Sequence, residues 1–533
     1  MKRVTCFSMI ALALGLGSCT KDLTSLNDNP AGFSTLEPGY QFTKVQAGLA
    51  GDRDEAWRTN LLLTSPMIQH LGGAWGIQAG GQYNIFERIY WETLWNTVYP
   101  RDLKNIQDVV DKTKSDPEQV NMHAAAKAMR VFIYAKMTDL YGDIPYSEAI
   151  KGYTEGKLMA KYDKQEDIYM DFFKELDEAN ALFDLSKAKV KGDVFYDGDV
   201  AKWKRFTNSL RLRLGMRVSN VNPAESKKQV EAALKGGVMT SNDDIAMTKH
   251  MSINYAEGEL RGNGASQVFK GGDNSIGFKL VTTLVDYMKN SKDPRLTIYG
   301  GTYLNDGVIG VSSSVIDITK IFRPIGVRPG AMSWTDWNTG TTDPDANGVR
   351  HPVTNAHAYV QPSVYVSALN APSFHLTYAE VEFLKAEAAL RGWGGLANPV
   401  DFFNRGIEAS CAMMSLYPNA PSIAAANVDE LKNAYKPFPT SFEGAMDAIH
   451  GQMWVNFFLN GPEAYSNYRR TGYPSVVVPS KPPANYTTST NGVIPKRFIY
   501  PMNQVLQNKE QLQIALDRMG GTDDWLSPVW WDK

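Results

Sequence analysis

Apolar residues return every three to four positions along both flanks of this 533-residue chain, and the pattern fails in its middle. A period near 3.6 commits a segment to an amphipathic helix, so the flanks must build a helical body from which the middle hangs. Asp163, with Glu166 three positions on as in a capping box, opens a run in which Ile168, Phe172, Leu176 and Phe183 share one face. Trp203, Phe206, Leu210, Leu214 and Val218 repeat the pattern in the next helix. A helix over 121–140 carries Ala124, Met129, Phe132, Ile133 and Leu140 and stops at Tyr141-Gly142, and a shorter one near 224–235 closes on Gly236-Gly237. Thr377-Tyr378-Ala379-Glu380 opens a further helix through Val381, Leu384 and Ala388, with a partner around 398–416. Trp91 and Trp95 share a helical face with Val98 and belong to the core.

These segments predict a mainly α fold: tetratricopeptide-like helix pairs forming an arm, mainly over 39–236 and 377–416. Between about 240 and 375 the text turns to Gly, Asn, Ser, Asp and Thr with scattered aromatics. That is a loop-rich, irregular insertion expected to carry the ligand face, since binding groups concentrate on loops held by a rigid scaffold. A second irregular stretch, residues 72–83, interrupts the N-terminal helices.

The N-terminus supplies an address. Lys2 and Arg3 precede an apolar run over 4–16, too short to span a bilayer and of signal-peptide form. It ends Leu16-Gly17-Ser18-Cys19, a lipobox, so residues 1–18 are read as a signal peptide and Cys19 as the lipidated residue. Residues 19–38 then form a polar tether, and 39–533 a single body. A second acyl chain, such as palmitate, would make the anchoring stable. Of the three cysteines, this leaves Cys411 alone, so no intrachain disulfide can form and the fold rests on its core. A net charge of −2 gives no case for nucleic acid.

Motifs for chemistry are sparse. The chain has no G-x-S-x-G, no H-E-x-x-H and no C-x-x-C, and Gly262-Asn263-Gly264 reads as a turn. Asp343-Pro344-Asp345-Ala346-Asn347-Gly348 opens like a calcium loop, but Thr354 stands where the bidentate carboxylate should be. Asp343, Asp345 and Asn347 are therefore only a weak calcium set, and no cofactor is expected. The sharper candidates are aromatic residues outside helices. Trp75 lies in Gly72-Gly73-Ala74-Trp75-Gly76 with Tyr83 and Asn84 close behind, and Trp334 and Trp337 flank Asp336. An exposed indole offers a flat apolar face to a sugar ring, while neighbouring Asn or Asp groups bind its hydroxyls.

Three stretches carry a family resemblance. Met129-Arg130 through Thr138-Asp139-Leu140-Tyr141-Gly142-Asp143-Ile144-Pro145-Tyr146 is similar to the helix of the SusD/RagB lipoproteins that runs into Leu-Tyr-Gly-Asp-Val-Pro-Tyr. Ile449, Gln452 and Trp454 lead to Glu463-Ala464-Tyr465 and Arg469-Arg470-Thr471-Gly472-Tyr473-Pro474, and Ile494-Pro495-Lys496-Arg497, Tyr500-Pro501 and Asn508 lead to Val529-Trp530-Trp531-Asp532. Met453, Tyr465 and Gln504 depart from the residues usual there, in motifs of structural character, with Arg470 expected as a buried ion-pair or carbonyl partner. The resemblance, to the SusD-like branch, implies a nutrient-binding outer-membrane lipoprotein. Such a protein sits as a lid on a SusC-like TonB-dependent transporter, and its helical arm meets that partner.

An oligosaccharide is the leading ligand and a peptide the alternative. A surface glycoside hydrolase stays open, because paired carboxylates are defined in space and not by spacing. A ligand-free scaffold of helix pairs stays open as well.

Overall fold

A computed structural model describes residues 36–73, 76–85, 87–254, 258–270, 277–301, 327, 342–344, 350–352, 359–479 and 488–532. Its longer helices, in chain order, begin with α1 (Pro38–Gly48), α2 (Ile89–Thr97), α3 (Lys104–Thr113), α4 (Val120–Tyr141), α5 (Gln165–Leu182), α6 (Val200–Arg217) and α7 (Pro223–Gly236). They continue with α8 (Thr282–Asn290), α9 (Tyr378–Leu390), α10 (Pro399–Ala412), α11 (Ala425–Asn433), α12 (Phe442–Asn456), α13 (Gly461–Thr471) and α14 (Lys509–Arg518). Between α1 and α2 the chain runs from Arg53–Glu55 through a π-helix, Ala56–Thr64, into Ser65–Met67.

The arm forms because successive helices pack in pairs. α3 packs on α4, α4 on α5, α5 on α6 and α6 on α7, while α6 also meets α9, which pairs with α10 and α12. α4 is buried on most faces, and its run Ala124, Ala125, Ala126 and Ala128 lets neighbours approach closely. Phe206, Leu210 and Leu214 of α6 are each at most 1% exposed. Each contributes roughly 1.5–3 kcal/mol on burial. In the α9–α10 hairpin Gly406 faces Phe383 so closely that a Cβ would stand 2.5 Å from the ring, so only glycine fits.

Local chemistry sets the helix ends. Asp199, Asn222 and Thr377 cap α6, α7 and α9 with side-chain oxygens that accept from N3 amides. Gly142, at φ +88°, stops α4. Asp163 departs from the sequence reading. α5 starts at Gln165 without a side-chain cap, and the Asp163 carboxylate accepts instead from the Ser147 amide and hydroxyl, at 2.7 and 2.9 Å.

Strands are short two-stranded ties. β1 (Leu71–Gly73) pairs antiparallel with β5 (Phe278–Leu280), and β2 (Ile144–Pro145) pairs with β3 (Tyr162–Asp163). β4 (Ala246–Thr248) pairs with β10 (Ser373–Leu376), joining the two ends of the insertion at one neck. Inside it lie β6 (Gly300–Gly301) paired with β9 (Gln361–Pro362), and β7 (Thr342–Pro344) paired with β8 (Arg350–Pro352). The insertion is more regular than its composition implies, since it also contains α8, whose Leu284, Val285 and Met288 are buried. No helix among the described residues is long and apolar enough to cross a membrane.

The three motif stretches meet inside the body. Asp139 of α4 accepts hydrogen bonds from the Trp531 indole at 2.8 Å and the Tyr169 hydroxyl at 2.5 Å. Arg469 donates to the Asp139 carbonyl at 2.6 Å and lies over the Trp531 ring. Arg470 makes a two-pronged bond to Glu387 of α9, both distances 2.8 Å, with both residues at most 3% exposed. These motifs thus bind the C-terminal segments to the arm.

Candidate functional site

The irregular stretch after the π-helix is held in place by close backbone packing. A short helix, Gln78–Gln82, presses against the π-helix at Gly80, where a Cβ would lie 2.5 Å from the carbonyl oxygens of both Leu62 and Leu63. Only glycine permits that approach. Tyr83 ends this helix in the left-handed region, at φ +57°. Its carbonyl accepts from the Ser489 amide at 3.0 Å, and the Ile85 amide donates to the Ser489 hydroxyl at 3.0 Å. Asn84 sits half-buried between those anchors. Tyr83 itself is fully buried, so its ring faces the core and not solvent. The left-handed turn at Tyr83, tied to Ser489, goes with the inward placement of the side chain.

Trp75, Trp334, Asp336 and Trp337 lie outside the described residues, as do Cys19, Asp345 and Asn347. Asp343 falls in β7, in register with His351. Among the described residues no group of His, Cys, Asp or Glu is arranged to hold a metal ion.

The structure adds side chains that the sequence reading passed over. Trp57 and Arg58, at the start of the π-helix, and Tyr90 of α2 are all half-buried. The Arg53 guanidinium sits over the Trp57 ring, 5.3 Å from its centroid. Arg58 donates to the Thr93 hydroxyl at 3.3 Å and stands 3.6 Å from Asp54. Burial and the nearby Glu87 raise the Tyr90 phenol above its usual range, with Arg58 opposing. A Cβ on Gly76 would stand 3.1 Å from the Tyr90 hydroxyl. Gly76, the residue after Trp75 in sequence, is therefore packed against Tyr90. Aromatic faces beside guanidinium and carboxylate groups form a surface suited to a flat, hydroxylated ligand. Its sequence signal was an aromatic residue set among charges, Arg53-Asp54-Glu55-Ala56-Trp57-Arg58.

The buried carboxylates of the arm are tied to guanidinium groups. Arg213 binds both oxygens of Glu380, at 2.5 and 2.6 Å. Arg217 bridges Asp139, at 3.3 Å, and Glu463. A carboxylate held this way has its charge fixed and its lone pairs occupied, the work of a structural ion pair.

Known proteins share this architecture. A family model described as SusD-like, starch-binding associating with outer membrane, matches residues 30–501. A solved structure described as a chitin-binding protein is 36% identical, with a TM-score of 0.80 over 93% of this chain and 100% of that one. A SusD-like protein of Bacteroidetes AC2a is 31% identical, with a TM-score of 0.83 over 93% and 100% of the two chains. A chitin-binding SusD homologue from Flavobacterium johnsoniae shares the fold at 22% identity and a TM-score of 0.71, over 93% and 98%. No curated protein matches the sequence. With the helical arm, the interlocked motifs and nearly the full length matched together, this chain belongs to the SusD-like family, which is associated with the outer membrane.

Proposed function

We propose that the chain is an outer-membrane surface lipoprotein, anchored through Cys19, that captures an oligosaccharide and delivers it intact to a SusC-like TonB-dependent transporter. The observation that carries the ligand half is the half-buried surface of Trp57, Arg58 and Tyr90, against which Gly76, next to Trp75 in sequence, is packed. Asn84 and the Trp334, Asp336 and Trp337 loop complete the proposed face. A chitin-type oligomer is the favoured cargo, because the 36%-identical relative is described as chitin-binding. Binding without cleavage agrees with the arm carboxylates' being engaged by Arg213 and Arg217. Release would follow from differential affinity between open and closed positions over the transporter.

Calorimetric titration with chitohexaose tests the ligand face. Trp57→Ala, Trp75→Ala and Tyr90→Ala should each weaken binding by about tenfold, since stacking on an aromatic ring contributes about 1–1.5 kcal/mol. Unchanged affinity in all three variants would remove this surface from the account.

A further inference from the structure

A cleft that the glycan surface does not use opens on the other side of the π-helix. It lies where α4 and α6 meet the π-helix, β10 and the turn between α12 and α13, with a volume of about 130 Å³. Its polar lining includes Glu55, Thr59, Lys136, Arg213, Asn460 and Glu463, and Phe132 and Phe374 supply apolar faces. Trp57 and Arg58 contribute to the glycan surface, whereas Ala56, Thr59 and Asn60 of the same π-helix line the cleft. π-Helical insertions of this kind recur at functional sites.

Two groups in the cleft have hydrogen-bonding capacity that the described residues leave unmet. Thr59 is 3% exposed, and its hydroxyl has no hydrogen-bond partner among the described residues. A buried hydroxyl left unmatched costs stability, so its retention calls for an account. The Lys136 ammonium has three N–H groups, but among the described residues its one hydrogen-bond acceptor is Glu55, at a long 3.4 Å. Both contrast with Arg213, whose donors are engaged by Glu380 and the His375 carbonyl.

Charge balance narrows the ligand class. The carboxylates at or behind the wall are Glu55, Asp102, Asp139, Glu380 and Glu463, and the cations facing them are Arg101, Lys136, Arg213, Arg217 and Arg469. The set is neutral, so a net ion of either sign would enter without a countercharge to offset its desolvation. A hydroxyl both donates and accepts from one atom, which suits a wall that brings the Lys136 ammonium, the Thr59 hydroxyl and the Glu55 carboxylate together. The volume is close to that of cavities that take one six-membered ring. We infer that this cleft is a second ligand site, distinct from the glycan surface, that takes a neutral polyhydroxylated molecule of up to one sugar ring.

The test is saturation-transfer NMR and titration of the intact chain with glucose and with galactose, neither of which is a unit of a chitin-type oligomer. Affinities are compared among the wild type, Thr59→Val, Lys136→Met and the double variant Trp57→Ala/Tyr90→Ala. Thr59→Val removes an orphaned hydroxyl at constant shape, and Lys136→Met leaves Glu55 held by Arg101 at 2.8 Å, so both should melt near the wild-type temperature. At least one sugar should bind, about tenfold more weakly to Thr59→Val and Lys136→Met. The Trp57→Ala/Tyr90→Ala variant should bind it as the wild type does. Binding that is unaffected by both cleft variants, binding lost in the surface variant, or transfer from neither sugar overturns the inference. Because chitohexaose titration reads the other face, failure here leaves the proposed function standing, and the reverse also holds.

Discussion

Acidification should destabilise this protein through histidines that the fold keeps neutral. Burial lowers His70 and His375 from 6.5 to about 3 and His250 to about 4. Nearby Lys136 and Arg213 add to the effect at His375, and the residues are 0%, 7% and 9% exposed for His70, His375 and His250. A histidine whose folded pKa lies below its unfolded value binds its proton first in the unfolded chain. Stability is therefore intact above pH 6.5 and declines as the pH falls toward the folded values. Between pH 7.5 and 5.5 the unfolded form gains about 1.4 kcal/mol per histidine, or about 4 kcal/mol for the three. At about 2 cal/mol/K per residue of unfolding entropy, a body of this size should lose about 4 °C in melting temperature by calorimetry. Burial raises carboxylates such as Asp139, which act in the opposite sense, so the cleaner measurement is the difference between wild type and His250→Gln. The variant should lose about 1.4 kcal/mol less stability than the wild type over the same interval. Equal pH dependence in the two proteins, or a melting temperature that rises on acidification, would show that His250 is not held neutral by the fold.

Further outcomes follow from the packing. Glu387→Gln or Arg470→Met should cost about 3–5 kcal/mol in denaturant unfolding, because each strands a buried charge. Burial would raise the Glu387 carboxyl, but Arg470 and His450 outweigh it and hold the group well below the usual range. Gly80→Ala places a Cβ against the Leu62 and Leu63 carbonyls, so a loss of about 1–3 kcal/mol is expected, together with weaker chitohexaose binding. Cys411 is 1% exposed, and burial pushes its thiol up to about 12. It should resist thiol reagents at pH 8 until denaturant is added, when the Cys411-containing peptide becomes labelled.

The arm was legible because its signal is local. Trp203, Phe206, Leu210, Leu214 and Val218 recur at the helical period, and all are buried. Thr377 caps α9 as its spacing with Glu380 suggests, and Arg470 finds the buried acid that its motif implied. What escaped the sequence depends on distant partners. Asp163 has the spacing of a cap, but Ser147, sixteen residues earlier, claims its carboxylate. Tyr83 looked free in a glycine-rich stretch, and residue 489 supplies the turn partner that goes with its burial. The Trp57, Arg58 and Tyr90 surface is assembled from a π-helix and α2, and the extra residue per turn in the π-helix breaks the spacing by which helical faces are read. β4 and β10 pair residues more than a hundred positions apart, so the neck that bounds the insertion had no local sign.

The most direct test of capture without chemistry is titration of the intact chain with chitohexaose, followed by chromatography of the recovered sugar. Saturable binding is expected, with the hexasaccharide recovered whole after prolonged incubation. Shorter oligomers in the eluate, or no binding of any glycan at millimolar concentration, would contradict it.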